Sequence, residues 1–229
     1  YQYRESLKSA GITLDEETIQ HVMQLIGIEK DNSTIEELDE VVIIDDVITE
    51  QEQNLLESHF LSDRVEWEKY NSTLYDNNGN LANPNDYFPQ TKNTLDTKQQ
   101  VNVMVFNGHG NYDIVKPIVD KIPYKYSKIL RIKANLTEPT NTDIDYPHSP
   151  IHTDIGSVSK YITCIYYIND SDGDTIIFNE KKGFCGTPTI KQTVKPKKGR
   201  LVMFNGHHLH AGELPRTNKK RLVLNINIT

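Results

Sequence analysis

Residues 150–229 form a series of short β-branched and aromatic runs separated by turn residues. The runs are YITCIYYI (161–168), DTIIF (174–178), TVKPKKGRLVMF (193–204) and RLVLNINI (221–228), with Asp-Gly, Gly-Thr-Pro and Lys-Lys-Gly turns between them. Short strands at this spacing are typical of an all-β barrel or sandwich. The C-terminal part of the chain therefore predicts a β core.

Helices are predicted to flank this core, which makes the fold class mainly β with flanking helices (α+β). Residues 1–40 are acidic and carry apolar residues at helical spacing. A β-branched run follows, so we divide the chain into a helical N-terminal extension (1–40) and a main domain (41–229). The main domain is predicted to contain a strand at 41–49, a helix at 49–61 with Leu55, Leu56, Phe60 and Leu61 inward, a helix at 111–122 with Pro117 in its second turn, and a strand at 128–136.

The segment 71–97 is polar and rich in Asn, Gly and Pro. Residues of these types at such density cannot bury enough apolar surface to form a core element. A loop of this length in a compact domain is usually functional or disordered. We interpret it as a mobile flap that covers a site.

The bulk composition excludes several classes of protein. A net charge of −7 argues against a broad nucleic-acid-binding face, although a local basic groove would survive that average. There is no apolar window of membrane-spanning length and no signal-peptide core, so we expect no membrane partner and a cytoplasmic location. Cys164 and Cys185 lack metal-ligand spacing and are expected to be free thiols.

A possible metal site begins with His152 and Asp154, which stand directly before the run YITCIYYI. In an extended strand these two side chains point to the same side. A divalent metal needs at least one more ligand, and His207, His208 and His210 in FNGHHLHAGELP compete for that position. Two histidines and one carboxylate leave one face of an octahedron open, which suits non-haem Fe(II) that activates O₂.

The strand RLVLNINI carries a second signal. Arg221, Asn225 and Asn227 share one face of it, and an apolar stripe occupies the other face. An inward arginine is costly unless it meets an anion, and a carboxylate bound in bidentate fashion would suit it. The hydroxyls of Thr163 and Tyr167, on the run YITCIYYI, could donate to the same carboxylate.

These residues resemble a known family. H-T-D at 152–154, H-A at 210–211 and R-L-V-L-N-I-N-I at 221–228 are similar to the iron(II)- and 2-oxoglutarate-dependent oxygenases, in particular the prolyl-4-hydroxylase-like branch with its compact marine microbial and phage members. ITCIYYIN (162–169) nearly matches a run in the animal hypoxia-sensing prolyl hydroxylases. The resemblance covers residues 128–229, and 41–122 weakly, and it implies a double-stranded β-helix (jelly-roll, cupin-like) core.

The resemblance implies roles for seven residues. They are His152, Asp154 and His210 as catalytic iron ligands, Arg221 and Tyr167 for the distal carboxylate of 2-oxoglutarate, and Thr163 and Ile165 as residues that line the cosubstrate. His210 is chosen over its neighbours because the family's distal ligand precedes a small residue and stands about ten positions before the arginine. The implied cofactors are Fe(II) and 2-oxoglutarate, with ascorbate as a further candidate.

The implied reaction is hydroxylation of a C–H bond with decarboxylation of 2-oxoglutarate to succinate, in the cytoplasm of a bacterium or a phage-infected host. A prolyl residue of a peptide or protein is the default substrate, a small molecule is the alternative, and O₂ is the co-reactant. A nucleic-acid demethylase of the same superfamily is disfavoured, because those relatives carry a second arginine six positions after the first, where Asn227 stands. A non-catalytic cupin-like protein that binds a metal or small anion is the rival from another class.

Overall fold

The structure, a computed structural model, describes residues 38, 40–70, 89–96, 98–155, 158, 160–217 and 219–229. All of them belong to one compact unit, Glu37–Thr229. The helix predicted within residues 1–40 and most of the flap predicted at 71–97 lie outside the described residues. The division of the chain at residue 40 stays a prediction.

Strands dominate the described chain, and its helices are short. In chain order the elements are β1 (Val42–Ile44), α1 (Glu50–Phe60), β2 (Glu68–Tyr70), β3 (Gln99–Phe106), β4 (His109–Gly110), a 3-10 turn (Asp113–Val115), α2 (Lys116–Val119), β5 (Ile129–Thr137), β6 (Ile162–Tyr167), β7 (Thr175–Lys181), β8 (Ile190–Val194), β9 (Leu201–Asn205), β10 (His208–Gly212) and β11 (Arg221–Ile228).

The strands form two antiparallel sheets. The major sheet has the order β1-β9-β6-β11-β5-β3-β2, with β4 paired to β3, and the minor sheet has the order β10-β7-β8. Apolar side chains from both sheets meet in one cluster that includes Tyr167, Phe204 and Val223 from the major sheet and Ile177 from the minor sheet. This arrangement confirms the predicted jelly-roll core.

Strand β11 is buried along its whole length, because β5 and β6 flank it in the major sheet. Leu222, Leu224 and Ile226 on its apolar face have no exposed surface. The opposite face, headed by Arg221 and Asn225, is buried as well and faces a cavity. The alternation predicted from RLVLNINI is confirmed, and it carries polar side chains into the interior.

Helix α1 forms where it was predicted, but two of its inward residues were wrong. Thr49 caps its N-terminus in a capping box with Glu52. The buried stripe runs through Gln53, Leu56 and Phe60. Leu55 lies one position off this stripe and is 62% exposed, and Leu61 at the C-cap is 50% exposed.

The helix predicted at 111–122 is broken into the 3-10 turn and the single turn of α2. Pro117 stands in the first turn of α2, where its missing N–H leaves no hydrogen bond unmade. Strand β3 was not predicted, since only Val101 and Val105 of it are buried. Both cysteines are free, as predicted. The described residues contain no helix of the length and apolarity needed to cross a membrane.

Candidate active site

Two histidines face each other across a strand pairing. The segment before β6 runs beside β10, where His152 and His210 exchange backbone N–H···O hydrogen bonds of 3.0 Å in both directions. Residues paired in this way project their side chains to the same face of the sheet. The centroids of the two imidazole rings lie 4.7 Å apart.

Asp154 joins these imidazoles. One potential ligand atom from each of His152, Asp154 and His210 lies within 4.8 Å of the others, which is a group able to hold a metal ion. The two competing histidines point elsewhere. His208 donates from Nδ1 to the carbonyl of Phe178 (2.8 Å), and the ring of His207 packs edge-on against Tyr161.

The imidazoles present lone pairs to the cluster. Nδ1 of His152 lies 2.8 Å from the carbonyl of Pro150, and Nδ1 of His210 lies 3.1 Å from the carbonyl of His208. A carbonyl can only accept, so each Nδ1 carries a hydrogen, and in the neutral form of each ring Nε2 is the lone pair that can bind a metal. Nε2 of His210 is buried without a hydrogen bond. Burial lowers the pKa of His152 to about 4, so this ring is neutral at neutral pH.

The carboxylate of Asp154 accepts five hydrogen bonds. Arg131 (2.6 Å) and Asn225 (3.0 Å) donate to Oδ1, while Asn225 (2.9 Å), Asn227 (3.1 Å) and Thr163 (3.2 Å) donate to Oδ2. Burial acts to raise the pKa of Asp154, but the Arg131 guanidinium and the neighbouring imidazoles outweigh it and hold this pKa well below its usual range. The third ligand is therefore an oriented anion.

The environment of Arg221 is different. Its guanidinium is buried and donates to two neutral acceptors, the carbonyl of Gly173 (2.7 Å) and the hydroxyl of Thr175 (2.8 Å). Tyr167 donates to the same hydroxyl at 2.6 Å. Among the described residues no carboxylate forms an ion pair with Arg221. A Cβ at Gly173 would lie 3.0 Å from Cδ of Arg221 and 2.4 Å from the carbonyl oxygen of Glu213, so only glycine fits there.

One cavity connects the cluster of potential metal ligands with Arg221. His152, Asp154, His210 and Arg221 all line it, together with Ile165. Four residues from three separate parts of the sequence, which were predicted to act together, are therefore brought to one site.

Two other predicted residues lie beside the site with their hydroxyls engaged. Thr163 donates to Asp154 and accepts from Asn227, and Tyr167 donates to Thr175. The cosubstrate contacts assigned to Thr163, Ile165 and Tyr167 stay predictions.

Strand β5 contributes residues of the site to which the sequence reasoning assigned no role. Arg131, Lys133, Asn135 and Thr137 alternate along the strand with fully buried apolar residues. Arg131 pairs with Asp154, and the other three line the cavity. Their period-two polar pattern was present in LRIKANLT, but this strand was predicted without assigning its polar face.

Comparisons with known proteins give one match to a family model, in the C-terminal part of the chain. Residues 144–229 match the family model of the 2OG-Fe(II) oxygenase superfamily. A search of curated protein sequences found no match. The matched residues include all four of the cavity residues predicted to act together, and the match confirms the resemblance predicted from the sequence.

Three solved structures illustrate the similarity of fold. One is the α-ketoglutarate-dependent epimerase SnoN from nogalamycin biosynthesis (12% identity, 82% of this chain and 78% of that chain, TM-score 0.53). The second is a Trichoplax adhaerens prolyl hydroxylase in complex with a hypoxia-inducible-factor peptide fragment (11% identity, 94% of this chain and 94% of that chain, TM-score 0.51). The third is a 2OG-Fe(II) oxygenase family oxidoreductase from Burkholderia pseudomallei (13% identity, 82% of this chain and 84% of that chain, TM-score 0.50). At these identities the likeness shows a common fold.

Proposed function

We propose that this chain is a 2OG-Fe(II) oxygenase that holds Fe(II) with His152, Asp154 and His210 and binds 2-oxoglutarate with Arg221. The proposed reaction hydroxylates a C–H bond. One oxygen atom of O₂ enters the substrate and the other enters succinate, as 2-oxoglutarate loses CO₂. The observation that carries this proposal is one cavity lined by a metal-ligand cluster and by a buried guanidinium that has no acidic partner.

The donor set fits the metal. Two neutral imidazole nitrogens and one ionised carboxylate are the ligands that non-haem Fe(II) takes in enzymes that use O₂. The unpartnered Nε2 of His210 is a buried lone pair that a cation would satisfy. When bound, the iron supplies the activation of O₂ that oxidises the C–H bond.

The chain supplies position and charge. The backbone pairing of His152 with His210 fixes the spacing of the two imidazoles, and the donors around Asp154 fix the direction of its carboxylate. Arg221 orients the dicarboxylate from the far end of the cavity and compensates its charge.

A prolyl residue of a peptide or protein is the substrate that we infer. The support is the resemblance of ITCIYYIN to the hypoxia-sensing prolyl hydroxylases, together with a fold shared along 94% of the chain with a prolyl hydroxylase in complex with a peptide fragment. A cytoplasmic location and the use of ascorbate remain predictions.

The missing arginine at position 227 was the sequence argument against nucleic-acid demethylation, and the structure weakens that argument. Position 227 is asparagine, but Arg131 lies directly opposite it in register on β5 and brings a guanidinium to Asp154 from that strand. The net charge of −7 still disfavours that substrate class. A direct substrate comparison therefore has to separate the two.

The decisive experiment incubates the Fe(II)-loaded full chain with 2-oxoglutarate, O₂ and one of three substrate sets, and measures succinate and substrate mass. The sets are proline-containing peptides, free amino acids and methylated oligonucleotides. We expect a peptide to gain one oxygen atom. Loss of a methyl group from the oligonucleotide would identify a demethylase, and absence of 2-oxoglutarate turnover under every condition would identify a non-catalytic binding protein.

Variants of the cluster provide the internal test. Asp154→Ala and His210→Ala should each abolish succinate formation and weaken iron binding, because each removes one of three ligands. His207→Ala is the matched control, since this histidine stands in the same segment but outside the cluster. Unchanged turnover in either cluster variant would reject the ligand assignment.

A further inference from the structure

Lys133 is a cation in the cavity that the reaction described so far does not use. It stands on β5 and lines the same cavity as Asp154 and Arg221. Within the described part of the chain, its ammonium group makes neither a hydrogen bond nor an ion pair. A charge placed in a protein cavity without a partner destabilises the ligand-free protein, so its presence there needs a reason.

The nearby carboxylate does not provide that reason. Asp154 already accepts five hydrogen bonds, one of them from the cation of Arg131. Burial, and after it repulsion from Arg131, lowers the pKa of Lys133 to about 7, whereas Asp154 acts in the opposite direction. Two basic side chains, Arg131 and Lys133, therefore stand near the metal cluster with one carboxylate between them, and that carboxylate pairs with Arg131.

The register of the strands separates Lys133 from Arg221. Arg221 lies opposite Thr137, and Lys133 lies opposite Asn225, which is four residues further along β11. Asn225 is also a donor to Asp154, so Lys133 belongs to the metal end of the cavity. The cavity thus has a guanidinium at one end and an ammonium at the other.

We propose that Lys133 binds the carboxylate next to the keto group of 2-oxoglutarate, while Arg221 binds the distal one. This inference rests on the proposed function, since it assigns one cation to each carboxylate of the same dianion. Asn135 lines the cavity and stands on β5 between Lys133 and Thr137, the residue opposite Arg221. Its buried amide oxygen has no hydrogen-bond partner. That oxygen can only accept, so the amide N–H group of Asn135 is the part that could donate to a carboxylate of the same ligand.

The test uses two keto acids. The anaerobic Fe(II)-loaded full chain is titrated by calorimetry with 2-oxoglutarate and with pyruvate, which keeps the keto-acid end and lacks the distal carboxylate. Lys133→Met should weaken both ligands by a similar factor, about tenfold or more, because both lose a charged hydrogen bond. Arg221→Met should weaken 2-oxoglutarate and leave pyruvate unchanged.

Stability separates binding from a structural role. Lys133→Met should keep or raise the melting temperature of the ligand-free protein, since it removes an unpaired cation, and a lower melting temperature would overturn the proposal. Lys125→Met, at an exposed lysine, is the matched control and should change neither titration. Lys133→Arg keeps the charge and should retain most of the affinity.

Two further outcomes would contradict the proposal in different ways. If Lys133→Met leaves both keto acids unchanged, or weakens 2-oxoglutarate alone, Lys133 does not bind the carboxylate beside the keto group. If the unmodified protein binds Fe(II) but neither keto acid, the proposed function itself fails, and this result is distinct because it needs no variant.

Discussion

The two ends of the cavity are built differently. At the metal end, Asp154 is an anion that its own chain has already compensated, with a guanidinium at 2.6 Å and three neutral side chains around it. At the far end, Arg221 is a buried cation whose partners are a backbone carbonyl and a hydroxyl. The charge of Asp154 is compensated before any ligand arrives, and the charge of Arg221 is not.

This difference indicates which interactions belong to folding and which belong to binding. A carboxylate held by several donors keeps its direction in the free protein, so a metal meets a prepared ligand. A guanidinium without an anion gains its strongest interaction only when a carboxylate enters. Removing the partners of Asp154 should therefore change stability, whereas removing the guanidinium of Arg221 should change affinity.

The largest expected effect is at the far end. Arg221→Met should weaken 2-oxoglutarate binding by 100-fold or more, on the order of 3 kcal/mol, because a buried charge pair with the ligand is lost. The free energy of unfolding of the ligand-free protein should fall by no more than about 1 kcal/mol, since no ion pair within the protein is broken. Calorimetric titration and urea unfolding measure the two quantities. A large loss of stability with intact 2-oxoglutarate binding would reverse the comparison.

At the metal end the expected pattern is the opposite. Arg131→Met leaves Asp154 buried without its cation, which should lower the free energy of unfolding by about 3 kcal/mol. Urea unfolding of the metal-free protein measures this loss. Lys116→Met, which removes the exposed pair with Asp120, is the control and should change nothing measurable. Equal effects of the two variants would show that the buried pair contributes no more than a surface pair.

The pH dependence of the metal-free protein should sharpen the same contrast. The pKa of His152 is lowered to about 4, so between pH 6.5 and 4 the unfolded chain binds a proton that the folded chain does not. The free energy of unfolding should therefore fall as the pH decreases through this window, by up to about 3 kcal/mol. Urea unfolding at several pH values measures it, and His152→Asn should remove this part of the dependence. An unchanged slope in that variant would place the titration elsewhere.

The smallest effect concerns Thr163. Removing its hydroxyl in Thr163→Val takes away one of the hydrogen bonds to Asp154, which should cost about 1 kcal/mol of stability. Iron affinity should weaken by less than tenfold, and 2-oxoglutarate affinity should stay unchanged, because the hydroxyl faces Asp154. Titrations with metal and with cosubstrate separate the two. Weaker 2-oxoglutarate binding instead would support the cosubstrate contact predicted from the sequence.

Much of the site was predictable because strands have a strict period. The alternation of RLVLNINI was sufficient to turn Arg221, Asn225 and Asn227 inward, and the spacing of His152 and Asp154 was sufficient to place them on one side. The partner of an inward side chain was not predictable, since it depends on which strands become neighbours. Thr163 was predicted to contact the cosubstrate, but the pairing of β6 with β11 also sets it beside Asn227 and Asp154.

The errors in the rest of the fold have similar causes. Leu55 and Leu61 have the helix-forming and apolar character of core residues, but the stripe of α1 is set by what Leu56 and Phe60 meet in the tertiary structure. Strand β3 was missed because most of its residues are polar or exposed, so its alternation is weak. Arg131 and Lys133 were missed because a charged residue in a strand is most often on a solvated face.

Two backbone hydrogen bonds hold His152 beside His210. How long a metal ion stays bound should therefore depend on how often this local pairing opens. Only one of these histidines lies within a named strand, and the other belongs to a segment joined to β10 by an isolated bridge. If that segment separated from β10, the two imidazoles would move apart and a bound ion would be released. A bound metal ion would link the two paired segments. Metal binding should therefore slow hydrogen exchange at the amides of His152 and His210 more than at any amide of β11.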